Sequence, residues 1–340
     1  MPVLGSGIIP GSGAVASQLE ATIRRAFVKP LVVQWAQATP TLSGMVGNAA
    51  MAMGGVSSVT VPVQGTALTT TQGAGFSGSF TVPTTQTGIQ NAEFNLCMMV
   101  TPIPFLGTEA MLEVDHTVIP ILEARMNDAG NSMVDYASTK LATNHTLGLD
   151  LQGFPAAIDD GTSGNTSYGG ITFSTNTWWK AYVKSAGSSV TITRQLVLQY
   201  IQGLTKWSGG EKPTFIVCGM ATWVSLAQDY VGSERYNQDG GGRAFDTIGG
   251  PPRSGYTALM VGDVPVFCDP YFTEGTLWMV NTRYLSFYIH NRVNFAFTGF
   301  ASMLPNAQLG YIGALVTALN LVNTKPKSAG QVTGFGFATI

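Results

Sequence analysis

Apolar and polar positions alternate in two different rhythms along this chain. In the first third the period is two. Val59, Val61 and Val63 alternate with polar neighbours, and a second alternating run, Phe76–Val82, follows the turn-like sequence TQGAG at 71–75. Together they predict a long β-hairpin. Phe94, Leu96, Met98 and Val100 then alternate with Glu93, Asn95 and Cys97, the pattern of a half-buried strand with Met98 and Val100 on its inner face. From residue 108 the period lengthens. Met111, Val118, Leu122, Met126, Ala129, Met133, Ala137 and Leu141 form one stripe at spacings of mostly three and four. The stripe predicts a helix over about 108–141, reaching about 50 Å at 1.5 Å per residue. Pro120 falls inside it, so a kink or a two-piece helix is expected there. Upstream, Leu19, Ile23 and Phe27 recur at helical spacing in a predicted arm over 17–37, with Pro30 as its breaker.

The second half mixes both periods. Val197, Ile201 and Leu204 predict a helix over 193–205, 214–218 (TFIVC) a short buried strand, and 221–230 another helix. Strands are predicted at 256–261, 264–268, 277–280, 284–290, 294–298 and 311–322. The strand–helix alternation over 193–230 suggests a compact α/β or α+β unit, and α+β is the expected fold class of the chain. Two loops interrupt it, at 232–255 and at 159–179. The latter, DDGTSGNTSYGGITFSTNTWW, has the composition of a solvated turn yet ends on Trp178 and Trp179. Paired indoles need burial, so these two are read as the core anchor of the loop.

Charge then alters the picture. Only 11% of the 340 residues are charged, and the formal net charge is −2. Soluble surfaces usually carry roughly 25–35% charge. Between Pro30 and Ala92 there is no Asp, Glu, Lys or Arg at all. An uncharged hairpin is either buried within its own domain or laid across a neighbouring subunit, since exposed uncharged strand edges recruit other chains. On the second reading Val59, Val61, Val63, Phe76, Phe80 and Val82, with Leu19 and Phe27 of the arm, are the candidate inter-subunit contacts. No basic run exceeds the pair Arg24-Arg25, which excludes a protein whose main affinity is for phosphate backbones.

Candidate chemistry is sparse. Cys97, Cys218 and Cys268 lack metal-ligand or disulfide spacing, His116, His145 and His290 lack ligand spacing, and neither GxSxG nor GxxxxGK[ST] occurs. No cofactor, metal or small-molecule substrate is expected, and no enzyme. The N-terminus lacks the pattern of a signal peptide, and no apolar run is long enough to span a membrane.

Two stretches carry a resemblance. SYGGITFSTNTWW (167–179) resembles a passage of tailed-bacteriophage major capsid proteins, in which Gly-Gly-Ile, Ser/Thr-Asn and paired aromatics follow a long helix. DVPVFCDPYFTEGTLWMVN (263–281) is similar to that family's Asp-Pro and Gly-Thr passage. The order of parts also matches. The resemblance implies a Hong Kong 97-like fold: an N-terminal arm (1–50), an extended hairpin loop (51–92), a peripheral domain with its spine helix (93–190), an axial domain (191–265) and returning peripheral strands (266–340). It implies a subunit that self-assembles into hexamers and pentamers of an icosahedral head in the virion. Assembly would occur in the bacterial host cytoplasm around double-stranded DNA contacted only weakly, with separate scaffolding and portal proteins as partners. Some relatives weld their shells through a lysine on the extended loop. This chain has no lysine between Lys29 and Lys140, so its shell is expected to be held non-covalently or by a decoration protein. It also has Phe173 where many relatives carry a charge. The competing expectations are a tail or tube subunit, or a β-rich adhesive protein.

Overall fold

The computed structural model describes residues 41, 42, 45, 50–52, 55, 57–66, 71, 76, 78, 88–106, 118–148, 150–234, 259–303 and 310–337. The expected arm with Leu19 and Phe27 lies outside them, as do Phe80, Val82, Met111 and the start of the expected helix.

The first half contributes β1 (Ala50–Ala52), β2 (Ser58–Gln64), β3 (Ile89–Asn95), β4 (Cys97–Leu106), the helix α1 (Val118–Thr143), a single turn α2 (Phe154–Ala157), and the two-residue strands β5 (Ser167–Tyr168) and β6 (Ile171–Thr172). Then follow β7 (Tyr182–Thr191), α3 (Arg194–Ser208), β8 (Phe215–Cys218) and α4 (Met220–Glu234). The remainder is strands: β9 (Leu259–Val261), β10 (Val264–Cys268), β11 (Leu277–Val280), β12 (Leu285–His290), β13 (Ala296–Phe297), β14 (Ala301–Ser302), β15 (Gly310–Asn323) and β16 (Gly330–Gly336).

Two six-stranded sheets organise these elements. In the first, the 14-residue β15 is the axis. One of its edges carries β4 over the whole run from Gly310↔Leu106 to Leu319↔Cys97. The other carries β12, β13 and β14 in succession. Helix α1 lies along this sheet and buries Met126, Ala129, Met133, Ala137 and Leu141, the stripe read from spacing. The kink expected at Pro120 has no place inside the described helix. Pro120 is its third residue, where no intrahelical N–H bond is due and proline is tolerated. Past the other end, Gly153 lies directly under the last carbonyls of the helix, with no room for a Cβ beside Lys140 O.

The second sheet runs β7-β16-β11-β8-β10-β9. Its centre, Phe215-Ile-Val-Cys, is buried throughout. Phe215 and Val217 face the main core, while Ile216 and Cys218 face a second core built on α3 and α4. Thr193 caps α3 by accepting a hydrogen bond from Leu196 N (3.3 Å), and Gly209 ends the helix at φ 83°, a conformation only glycine adopts cheaply. Three strands of the second sheet lie outside the segment 191–265 expected as the axial unit: β7 mostly precedes it, β11 and β16 follow it, and β7 and β16 fall where the sequence pattern predicts no strand. β16 runs parallel to β7 and antiparallel to β11. Period-two patterning marks a strand but not its partner, so this exchange between chain-distant segments could not be read from spacing.

Among the described residues β2 pairs with β3 in the register Val59↔Phe94, Val61↔Ala92, Val63↔Gln90; most of the second expected run, Phe76–Val82, lies outside them. Gly65 N donates to Gly88 O (3.0 Å) at the neck of the hairpin.

Candidate assembly surface

The neck of the hairpin stands on the 159–179 loop. Asp159 starts that loop from a buried position, its carboxylate accepting from Asp160 N (2.7 Å) and Gly161 N (3.1 Å), with His145 Nε2 3.4 Å from the other oxygen. At the far end Trp179 is 1% exposed and donates its indole N–H to Tyr168 O (2.9 Å). Tyr168 in turn accepts from Asn323 N (2.9 Å) through its hydroxyl and packs on Phe94 of β3, ring centroids 5.0 Å apart. Burial pushes the Tyr168 phenol well above its usual range. Trp179 is thus buried in the main core at the end of the loop.

Trp178 is half-buried and does something sequence reasoning did not foresee. Its ring packs edge-on to Trp179, centroids 5.5 Å apart, and lies against the backbone of Gly65. Glu93 N donates to Gly169 O (3.0 Å), and Gln90 Nε2 to Asn176 Oδ1 (3.4 Å). Loop and hairpin neck therefore form one platform.

Of the expected contact residues, Val61 and Val63 are half-buried and pack against the chain's own main core. Val59 is half-buried on the same face of β2, and Phe76 is fully exposed beyond the neck. The hairpin is thus tied down at its base.

A second apolar surface was missed because one residue reverses the strand. Leu96, between β3 and β4, donates its N–H to Ser57 O (2.9 Å) and belongs to neither ladder. A one-residue interruption sends every following side chain to the opposite face. Phe94 is therefore buried, whereas Met98 and Val100, expected on the inner side, are 61% and 52% exposed, and Cys97, Met99 and Ile103 point inward. The outer face continues through exposed Pro102 and Pro104. Register sets Val100 across from Val316 and Pro104 across from exposed Ile312. None of these residues is charged. Among the described residues β4 pairs with β15 alone, and its two prolines lie where a missing N–H removes no bond to that neighbour and strand addition is discouraged. The broad face, not the edge, is what remains to be covered.

Among the described residues no three His, Cys, Asp or Glu side chains gather in a metal-binding group, and no helix is long and apolar enough to cross a membrane. Burial pushes the Cys97 thiol up to about 11 and that of Cys218 well above its ordinary value, the opposite of what a nucleophile requires.

Comparison with known proteins agrees with this architecture. No protein-family model matches the chain, and no curated protein sequence does. Solved structures do. The cyanophage A-1(L) capsid subunit superposes with a TM-score of 0.60 at 14% identity, over 88% of this chain and 93% of that one. The capsid of an empty GTA particle gives 0.53 at 10% identity, over 86% and 96%. The satellite phage P4 procapsid gives 0.51 at 9% identity, over 94% and 97%. The chain thus has the fold of tailed-phage capsid subunits, the Hong Kong 97 type. The three structures are shells, and none is a tail or tube.

Proposed function

We propose that this chain is a major capsid protein, the subunit that self-assembles into the hexamers and pentamers of an icosahedral phage head enclosing double-stranded DNA. One observation carries the proposal. A fold shared with phage shells along nearly its full length presents exposed, uncharged apolar residues, Phe76 and the outer face of β4 with Ile312 of β15, which water alone would cover poorly. Sister subunits covering them would account for a chain with so few ions, through the large apolar interfaces typical of obligate assemblies. On this reading the protein is structural rather than catalytic and resides in the virion. The domain boundaries inferred from sequence remain proposals, with 1–50 as the arm and 51–92 extended to Asn95 as the loop that reaches a neighbour. Scaffolding, portal and decoration proteins would be separate chains. Electron microscopy of the purified recombinant chain tests the proposal. Closed shells or rings of five and six subunits are expected, and tubes or a small discrete particle would overturn it.

A further inference from the structure

The chain carries no basic run in sequence, yet its fold builds a basic surface on the seam between the two sheets. Lys180 precedes β7, Lys184 lies within it, Trp207 comes from the end of α3, Arg283 from just before β12, and Lys325 and Lys327 from the turn between β15 and β16. Each ring there has a cation against it. Lys184 Nζ lies 5.8 Å from the Tyr182 centroid, and Lys327 Nζ lies 5.3 Å from that of Trp207. Arg283 and Lys325 lie 5.5 and 5.0 Å from that of Tyr284. The rings connect, Tyr182 and Trp207 having centroids 6.5 Å apart, and the Trp207 indole N–H donates to Lys180 O (3.3 Å). A carboxylate contacts this array. Glu211 accepts from the Tyr284 hydroxyl (2.7 Å) and pairs with Lys325 (3.4 Å). Four cationic heads, Lys184, Arg283, Lys325 and Lys327, are thus held against rings in a chain whose net charge is −2.

From this array we infer a binding surface for the phosphodiester backbone of duplex nucleic acid, centred on Lys184, Arg283 and Lys327. Rings hold the cationic heads in place, so little side-chain freedom remains to be lost on binding. The set is three lysines to one arginine, mostly point charges spread over separate elements rather than bidentate forks converging on one group. Spread point charges suit an extended polyanion more than a carboxylate or a phosphomonoester. Trp207 already has Lys327 over its ring, so it braces a cation rather than stacking on a base. Binding should therefore be weak, indifferent to sequence and steeply salt-dependent. That the duplex is the packaged genome rests on the capsid reading; the surface itself does not.

The test is fluorescence anisotropy of a labelled random-sequence duplex with the unassembled full chain across a salt series, alongside labelled poly-glutamate. The variant Lys184→Gln/Arg283→Gln/Lys327→Gln should bind at least tenfold more weakly at low salt. Its slope of log affinity against log salt should be shallower by about 1 per cation removed. A control, Lys140→Gln/Arg194→Gln/Arg292→Gln, should stay within about twofold of the parent, as expected for charges away from the site. Lys184→Arg/Lys327→Arg should restore binding, which separates charge from fold. Equal binding by both triple variants, or tighter binding of poly-glutamate than of duplex, overturns the inference. Shells without duplex binding sink this surface and leave the capsid proposal standing. Duplex binding without shells does the reverse.

Discussion

The Trp178 indole lies against the backbone of Gly65 so closely that a methyl group at residue 65 would overlap the ring. Residue 65 is the point where β2 ends and the extended part of the hairpin begins. A loop more than a hundred residues downstream thereby sets where the hairpin leaves the body. Gly65→Ala should destabilise the subunit by about 1–3 kcal/mol through overpacking. Combined with Trp178→Ala the cost should be clearly less than the sum of the two single changes, since the clash disappears with the ring. Denaturant melts of the four proteins in that cycle check the coupling, and simple additivity would break the link.

Trp179 is a different case. It is almost fully buried and hydrogen-bonded to Tyr168 O. Replacing it with alanine should cost about 3–5 kcal/mol, the range for emptying a buried aromatic site. A loss under about 1 kcal/mol would place the indole outside the core.

The register of β2 on β3 allows the hairpin to be shortened cleanly. Gly65 N already bonds to Gly88 O, so replacing 67–87 with Asn-Gly should leave a folded monomer of near-parental melting temperature. Closed shells should be lost, as scored by micrographs and sedimentation. Normal shells from this variant would show that the distal hairpin has no part in closure.

The outer sheet face offers an independent probe. Val100→Lys places a charge on a side chain that is 52% exposed. It should shift stability by no more than about 0.5 kcal/mol, as for most surface changes. Yet it should impair assembly, because a charge buried there at an interface is costly. Unchanged shell yield would remove this face from the interface.

Glu211 joins the two sheets through Tyr284 and Lys325, and its hydrogen bond from Tyr284, followed by attraction from Lys325, lowers its pKa below the ordinary 4.5. A lowered folded-state value stabilises the native form fully above 4.5 and less as pH falls through it. The same bond raises the Tyr284 phenol above 10.0, so that contribution is present below pH 10 and fades above. Glu211→Gln should therefore flatten the melting-temperature profile at both ends, below pH 4.5 and above pH 10. Parallel profiles for variant and parent would discount the tie.

Legibility followed distance along the chain. Val264–Cys268 and Leu277–Val280 are strands over the ranges their patterns predict, and the α1 stripe is buried as its spacing requires. Glu274 was invisible. Its carboxylate accepts from Ala221 N (3.0 Å), Thr222 N (2.9 Å) and the Thr222 hydroxyl (2.9 Å), capping a helix some fifty residues away. Nothing local marks that partnership. Leu96 was invisible for a subtler reason, since a single unpaired residue reverses a strand without disturbing its apolar alternation.

By itself the amino-acid sequence determined which segments can bury a face, and it marked an indole pair and a stretch without ions as features that need some form of cover. These follow from spacing and composition, which act over a few residues. Tertiary structure alone decided the exchange of strands between sheets, the outward turn of Met98 and Val100, and the gathering of scattered lysines beside three aromatic rings. Each of those depends on contacts between segments tens to hundreds of residues apart, and hydrophobic periodicity carries no record of which distant face will supply them.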